Sequence, residues 1–148
     1  MLKGTYLLLA RLETKAALTV GRLGTFAFPR GWYAYAGSAM GPGGIPARLA
    51  HHCRSEKRTH WHIDYLLAYS TVEAYWYVEA TERLECAWAA ALSELPAARL
   101  LVPRFGASDC RCPGHLVYLP CRPLDREIER ALASASPNVR TPPAKGPL

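Results

Sequence analysis

The chain has 148 residues, half of them hydrophobic and a fifth charged, and 18 Lys/Arg against 12 Asp/Glu give a formal charge of +6. That length suits one domain with its own core, and the absence of any apolar run near the ~18 residues of a membrane span argues against a transmembrane protein. Arg11 and Glu13 close the short apolar opening MLKGTYLLLARLE with no small-residue cleavage site, so a soluble, cytoplasmic protein without a signal peptide is expected, and five cysteines, an odd number, argue against a disulfide framework.

GTYLLLARLE reads as a first strand, and Ala17–Val20, Gly24–Phe28 and Trp32–Ala36 are short β-type runs parted by Gly and Pro, with PRG as a turn. In GWYAYAGSA, alternation puts Tyr33 and Tyr35 on one face and Trp32, Ala34 and Ala36 on the other. The strand is expected to stop at Gly37, where Gly37 and Ser38 begin a glycine-rich turn that lets backbone approach a phosphate. A helix follows in GPGGIPARLAHHCR, with Pro46 in its first turn and Ile45, Leu49 and Cys53 as its apolar stripe. Arg48 and His52, four apart, share a neighbouring face.

THWHIDYLLAYS predicts a short second helix from near Thr59, docked by Trp61, Ile63, Leu66 and Leu67, with His62 and Asp64 hydrogen-bonded to a neighbouring loop. His60 and His62 are two apart on that helix and point different ways, so they are not expected to share an ion. TVEAYWYVEA is a strand with Val72, Ala74, Trp76 and Val78 on one face. TERLECAWAAALSELPAA is the clearest helix, with Thr81 as N-cap, Pro96 as stop, a stripe of Leu84, Trp88, Ala91, Leu92 and Leu95, and Glu85 beside that stripe. After the loop LLVPRFGASDCRCPG comes a last strand, HLVYLP. The expectation is an α+β domain over residues 1–120, an antiparallel central sheet of about five strands flanked by about three helices, with an extra N-terminal hairpin. Residues 121–148 are expected to add a marginal helix in LDREIERALASA and a Pro-rich, disordered tail.

Charge is unevenly spread: residues 1–60 carry nine Lys/Arg against two acids, whereas residues 61–119 carry four against seven. A basic half that also holds His51, His52 and His60 suits a polyanion such as nucleic acid. The order of motifs resembles the GIY-YIG nuclease superfamily over residues 4 to about 118. Gly4-Thr5-Tyr6 stands for its first triplet, Tyr35-Ala36-Gly37 for its second, Arg48 and His52 for the polar residues of its first helix, and Glu85 for its metal-binding glutamate. The strings GWYAYAGSA, HWHIDYLL and SDCRCPGHL together resemble a small uncharacterised, DUF123-like branch of that superfamily. The hairpin between about Ala16 and Arg30 is extra to the usual spacing of the triplets, and the superfamily's late asparagine is a second departure, with Ser108 and Asp109 the only candidates for its place.

The resemblance implies metal-dependent endonuclease cleavage of phosphodiester bonds, in DNA more than RNA, with Tyr6, Tyr35, Arg48, His52 and Glu85 as the catalytic set. Glu85 would hold Mg²⁺ or Mn²⁺, a hard ion content with one carboxylate when substrate phosphate completes its shell. Arg48 offers paired donors to phosphate oxygens. Tyr6 as base and Tyr35 as positioner follow from the resemblance, and His52 could share either proton task. Gly37, Ser38, His62 and Asp109 are the candidate substrate contacts. Zinc at Cys110, Cys112 and His115 is not expected, because Cys-x-Cys is an unusual spacing and no second pair is apparent, although Cys53 or Cys86 could supply a fourth ligand. Two alternatives stand beside the nuclease: a non-catalytic nucleic-acid-binding module on the same fold, accessory to DNA repair, and a metal or protein-interaction module built on the Cys/His turn.

Overall fold

The computed structural model describes residues 2–54 and 58–147. The elements begin with β1 (Gly4–Leu12), the hairpin strands β2 (Ala16–Thr19) and β3 (Thr25–Phe28), β4 (Gly31–Ala39), α1 (Gly44–His52) and α2 (His62–Leu67). They continue with β5 (Thr71–Glu79), α3 (Glu85–Ser93), β6 (Leu116–Leu119), α4 (Asp125–Ser134) and β7 (Ala144–Lys145). The main sheet runs β6-β4-β1-β5-β7 with every pair antiparallel, and β2 and β3 form a separate two-stranded sheet. The architecture is α+β, as the sequence leads one to expect, with the extra hairpin present, three helices (α1, α2 and α3) before residue 120 and α4 in the segment beyond it. No helix among the described residues is long and apolar enough to cross a membrane.

β1 is central because both of its faces are apolar. Tyr6, Leu8, Ala10 and Leu12 pack in one core cluster with Tyr33, Tyr35, Ile45, Leu49, Ile63 and Leu66, under α1, α2 and the hairpin. Leu7 and Leu9 pack in the other with Ala34, Ala36, Trp76, Trp88 and Leu92, under α3 and α4. The tyrosine alternation in β4 therefore falls as the sequence implies. The face of β5 does not: Ala74, Trp76 and Val78 face the second cluster, but Val72 packs against the first. A register shift at Leu9/Ala10 pairs Leu9 with Ala74 and Ala10 with Val72, and one extra residue reverses which side the strand presents.

Two helix ends also differ from expectation. α3 starts at Glu85 with Leu84, not Thr81, at its N-cap, and the Leu84 N–H is held by Thr5 Oγ1 at 3.0 Å. Ala89 is buried in its stripe and Ala91 only partly so. Cys53 lies past the end of α1 and is exposed rather than part of the apolar stripe. Past β6 the chain returns to the domain: Ile128 and Leu132 of α4 are fully buried against α3, and Ala144 and Lys145 pair with Tyr77 and Trp76. The segment expected as a marginal helix and loose tail thus contributes a helix and an edge strand.

β4 outlasts its neighbour β6. Only Trp32–Tyr35 pair with Leu119–Leu116, and one further bond runs from the Ala36 N–H to the His115 carbonyl. Beyond that point β4 continues to Ala39 with β1 on one side only, so the expected stop at Gly37 is corrected. Groups from both faces of the sheet can meet at this open rim.

Candidate active site

A cavity of about 300 Å³ lies at that rim, lined by Tyr35, Gly37, Ser38, Arg48, Glu85 and Asp109, and also by Met40, Gly41, Trp61, Arg83, Gly106, Cys110 and His115. Six of the nine sequence-derived site residues therefore border one hollow. Glu85 comes from the first turn of α3, is 7% exposed, and accepts the Ser38 hydroxyl on Oε2. Ser38 is itself braced by Thr5 Oγ1 at 3.1 Å, its partner across the β1/β4 ladder. From the other face Arg48 stacks over the Trp61 ring, 4.2 Å from guanidinium carbon to ring centre. That stack leaves the edge of the planar fork for hydrogen bonds. Arg83 and Arg48 bring two guanidinium groups to the hollow, set against the carboxylates of Glu85 and of Asp109, which is exposed.

Tyr6 and His52 stand behind this lining, almost wholly buried. The Tyr6 hydroxyl lies 2.8 Å from His52 Nε2 and accepts a hydrogen bond from Arg48. His52 Nδ1 faces the Asp64 carboxylate, 3.6 Å from Oδ1, so the negative charge favours the tautomer with its proton on Nδ1, which leaves Nε2 to accept the Tyr6 O–H. Asp64 also takes the backbone N–H groups of His60 and Trp61 at 2.8 and 2.9 Å and faces His51 Nε2 at 3.1 Å. Tyr6, His52 and Asp64 thus form one relay.

Burial dominates the protonation states. It drives Tyr6 and Tyr35 well above the usual phenol range, against an opposing pull from Arg48, so both are neutral phenols at rest. Burial lowers His52 below the usual imidazole value, although Asp64 pulls the other way. For Asp64 burial alone would raise the pKa, but the facing His52 imidazole and the hydrogen bonds from the two backbone N–H groups and His51 outweigh it and hold the carboxylate ionised.

Two glycines are dictated by the phenols. A Cβ on Gly37 would lie 2.5 Å from the Tyr6 hydroxyl, so the residue is needed inside the strand for close approach. Gly106 has φ +72° and a Cβ there would meet Tyr35 Cε1 at 2.9 Å, so both conformation and space select glycine. The Gly106 N–H donates to His62 Nδ1 at 2.8 Å, and His62 packs edge-on to Phe105. His62 therefore does not line the hollow; it supports the loop that does.

Sequence reasoning left Asp64, Arg83 and Trp61 out of the site. Asp64 carried a signal, an acid flanked by the docking residues Ile63 and Leu66 of a short helix, where a charge has to be paired. Arg83 carried none. Next to the hollow, Cys86 Sγ, Cys110 Sγ, Cys112 Sγ and one His115 nitrogen lie within 4.8 Å of one another.

No curated protein and no solved structure matches the chain. Among protein families, the domain of unknown function DUF123 matches residues 5–136, a span that takes in every residue lining the hollow and the relay behind it. The chain belongs to the DUF123 family.

Proposed function

We propose that the chain is an endonuclease of GIY-YIG type that hydrolyses phosphodiester bonds of nucleic acid, DNA in the first instance, with Mg²⁺ or Mn²⁺. The observation that carries this reading is the meeting of Tyr35, Arg48 and Glu85 in one hollow, backed by Tyr6 hydrogen-bonded to His52. The donor set fits a hard divalent ion: Glu85 offers one carboxylate, oriented by Ser38, and a substrate phosphate would complete the shell. Glu85 would hold the ion, which when bound neutralises phosphate charge and assists the leaving oxygen.

Arg48, fixed by its stack on Trp61, pairs with non-bridging phosphate oxygens and neutralises charge as it grows. Tyr6 takes the proton of the attacking water on its oxygen as its own proton passes to His52 Nε2. Asp64 stabilises the imidazolium so formed. This relay supports a base role for a phenol whose resting pKa is high, because no free phenolate is required. The Tyr6 oxygen stands behind Gly37, a cavity-lining residue with no side chain to block it. Tyr35, beside Tyr6 on the same face of the sheet with ring centres 6.4 Å apart, orients the water, Ser38 and Gly37 border the phosphate, and Asp109 meets the flanking nucleotide.

Supercoiled plasmid and a branched DNA incubated with MgCl₂ provide the test. Nicking by the parent protein, with a loss of about 10²-fold or more in Glu85→Gln and Tyr6→Phe, is expected. Binding without turnover in all three would replace this reading with a non-catalytic nucleic-acid module, and turnover that survives Glu85→Gln would overturn the mechanism.

A further inference from the structure

Three cysteines and a histidine converge beside the hollow from two distant segments. Cys86 is the second residue of α3, whereas Cys110, Cys112 and His115 belong to the loop before β6. Cys110 Sγ lies 3.4 Å from Cys112 Sγ and 3.3 Å from His115 Nε2, and Cys86 Sγ lies 3.4 Å from the same nitrogen. Ligands about 2.0–2.3 Å from one tetrahedral ion are spaced along edges of roughly 3.5–3.8 Å, so one centre fits between all four. The two objections raised by the sequence, Cys-x-Cys spacing and a missing partner, are met in space by Cys86. Cys53 and Cys121, the remaining cysteines, are exposed and outside the cluster.

The surroundings are built for ligation. The other ring nitrogen of His115 donates to the Gly106 carbonyl, which fixes the tautomer and turns Nε2 toward the thiols. Its backbone is pinned on both sides, the N–H to the Phe105 carbonyl at 2.7 Å and the carbonyl to the Ala36 N–H at 3.0 Å. Arg104 spans the loop: its guanidinium donates to the carbonyls of Ala107 and Cys110, both at 2.5 Å, and of Cys112 at 2.7 Å. Arg104 holds φ +66°, an uncommon conformation for a residue with a side chain, which this clamp keeps in place.

We propose that Cys86, Cys110, Cys112 and His115 bind one structural zinc ion. Three thiolates and one imidazole make a closed, soft donor set with no position left for substrate, and divalent zinc suits it better than magnesium or calcium. A two-iron cluster would spread its ligands over two metal centres, whereas these four surround a single point. The ion staples α3 to the loop before β6. Glu85 and Asp109 are the chain neighbours of two ligands, so the same staple holds two walls of the hollow. The assignment does not depend on the cleavage chemistry.

The full chain, expressed without a histidine tag in zinc-supplemented medium and purified without chelator, is assayed by elemental analysis. One zinc per chain is expected, unchanged in Cys53→Ser and Cys121→Ser and lost at least tenfold in Cys110→Ser/Cys112→Ser. Titrating the parent protein with a mercurial while a chromogenic chelator reports release covers the case where that variant fails to fold. Zinc is then expected to appear in step with three protected thiols. Cobalt grown into the protein is expected to give the visible spectrum of a tetrahedral thiolate site. Metal-free parent protein, iron with acid-labile sulfide, or zinc fully retained in the double variant would overturn the proposal.

Discussion

The Tyr6 oxygen has two neighbours of opposite kind, Arg48 donating to it and His52 accepting from it, and the second bond exists only while His52 is neutral. Burial already lowers the His52 pKa, with Asp64 resisting and His51 and Arg48 reinforcing that fall. Nuclease activity, if Tyr6 acts as proposed, is expected to fall on acidification with an apparent pKa below about 6.5. Asp64→Asn removes the group that raises His52, so the acid limb of a kcat–pH profile is expected to move to still lower pH while the plateau drops about tenfold or more. An unshifted limb in that variant would show that Asp64 does not act through His52. Gly37→Ala drives a Cβ to 2.5 Å from the Tyr6 hydroxyl and is expected to cost about 1–3 kcal/mol, measured by urea denaturation.

Among elements, α4 shows how much a segment with many charges can rest on a few apolar residues. Ile128 and Leu132 are both fully buried, and Trp76 Nε1 donates to Glu129 at 3.0 Å from the strand beneath. Leu132→Ala is expected to lower stability by about 2–5 kcal/mol with the site geometry intact, a change read from thermal or chemical unfolding. The elements legible in the sequence are those whose pattern runs along the chain: the alternation of β4, the Arg48/His52 spacing on α1, and the Leu84, Trp88 and Leu92 stripe of α3. What was not legible depends on where separate segments meet. The Val72 face is set by a register shift against β1, the true reason for Gly37 is a phenol from another strand, and Cys86 acquires its companions only after folding. Of the nine candidate site residues, Glu85 was the hardest to support locally, because its partner Ser38 is 47 positions away.

At the scale of the whole molecule, acid stability follows from the same buried groups. His52 and His62 have folded pKa values lowered by burial, so the unfolded chain binds more protons as pH falls below about 6.5, and that pH range favours unfolding. Asp64 is depressed in the folded state; its contribution is complete above about pH 3.9 and lost as pH falls through its folded value. The melting temperature is therefore expected to decline in two stages on acidification, the first below neutrality; a flat profile down to about pH 5 would contradict the histidine contribution. If the net +6 chain binds nucleic acid as proposed, that binding is expected to weaken steeply with salt, with a smaller slope in Arg48→Ala.

The short β6 has a consequence for the shape of any polymer that docks there. Among the described residues the ledge formed where β4 outruns β6 has a neighbouring strand on one side only, so a polymer can approach it sideways. If the chain cleaves as proposed, closed circles should serve as well as short fragments, and cutting should begin at internal positions.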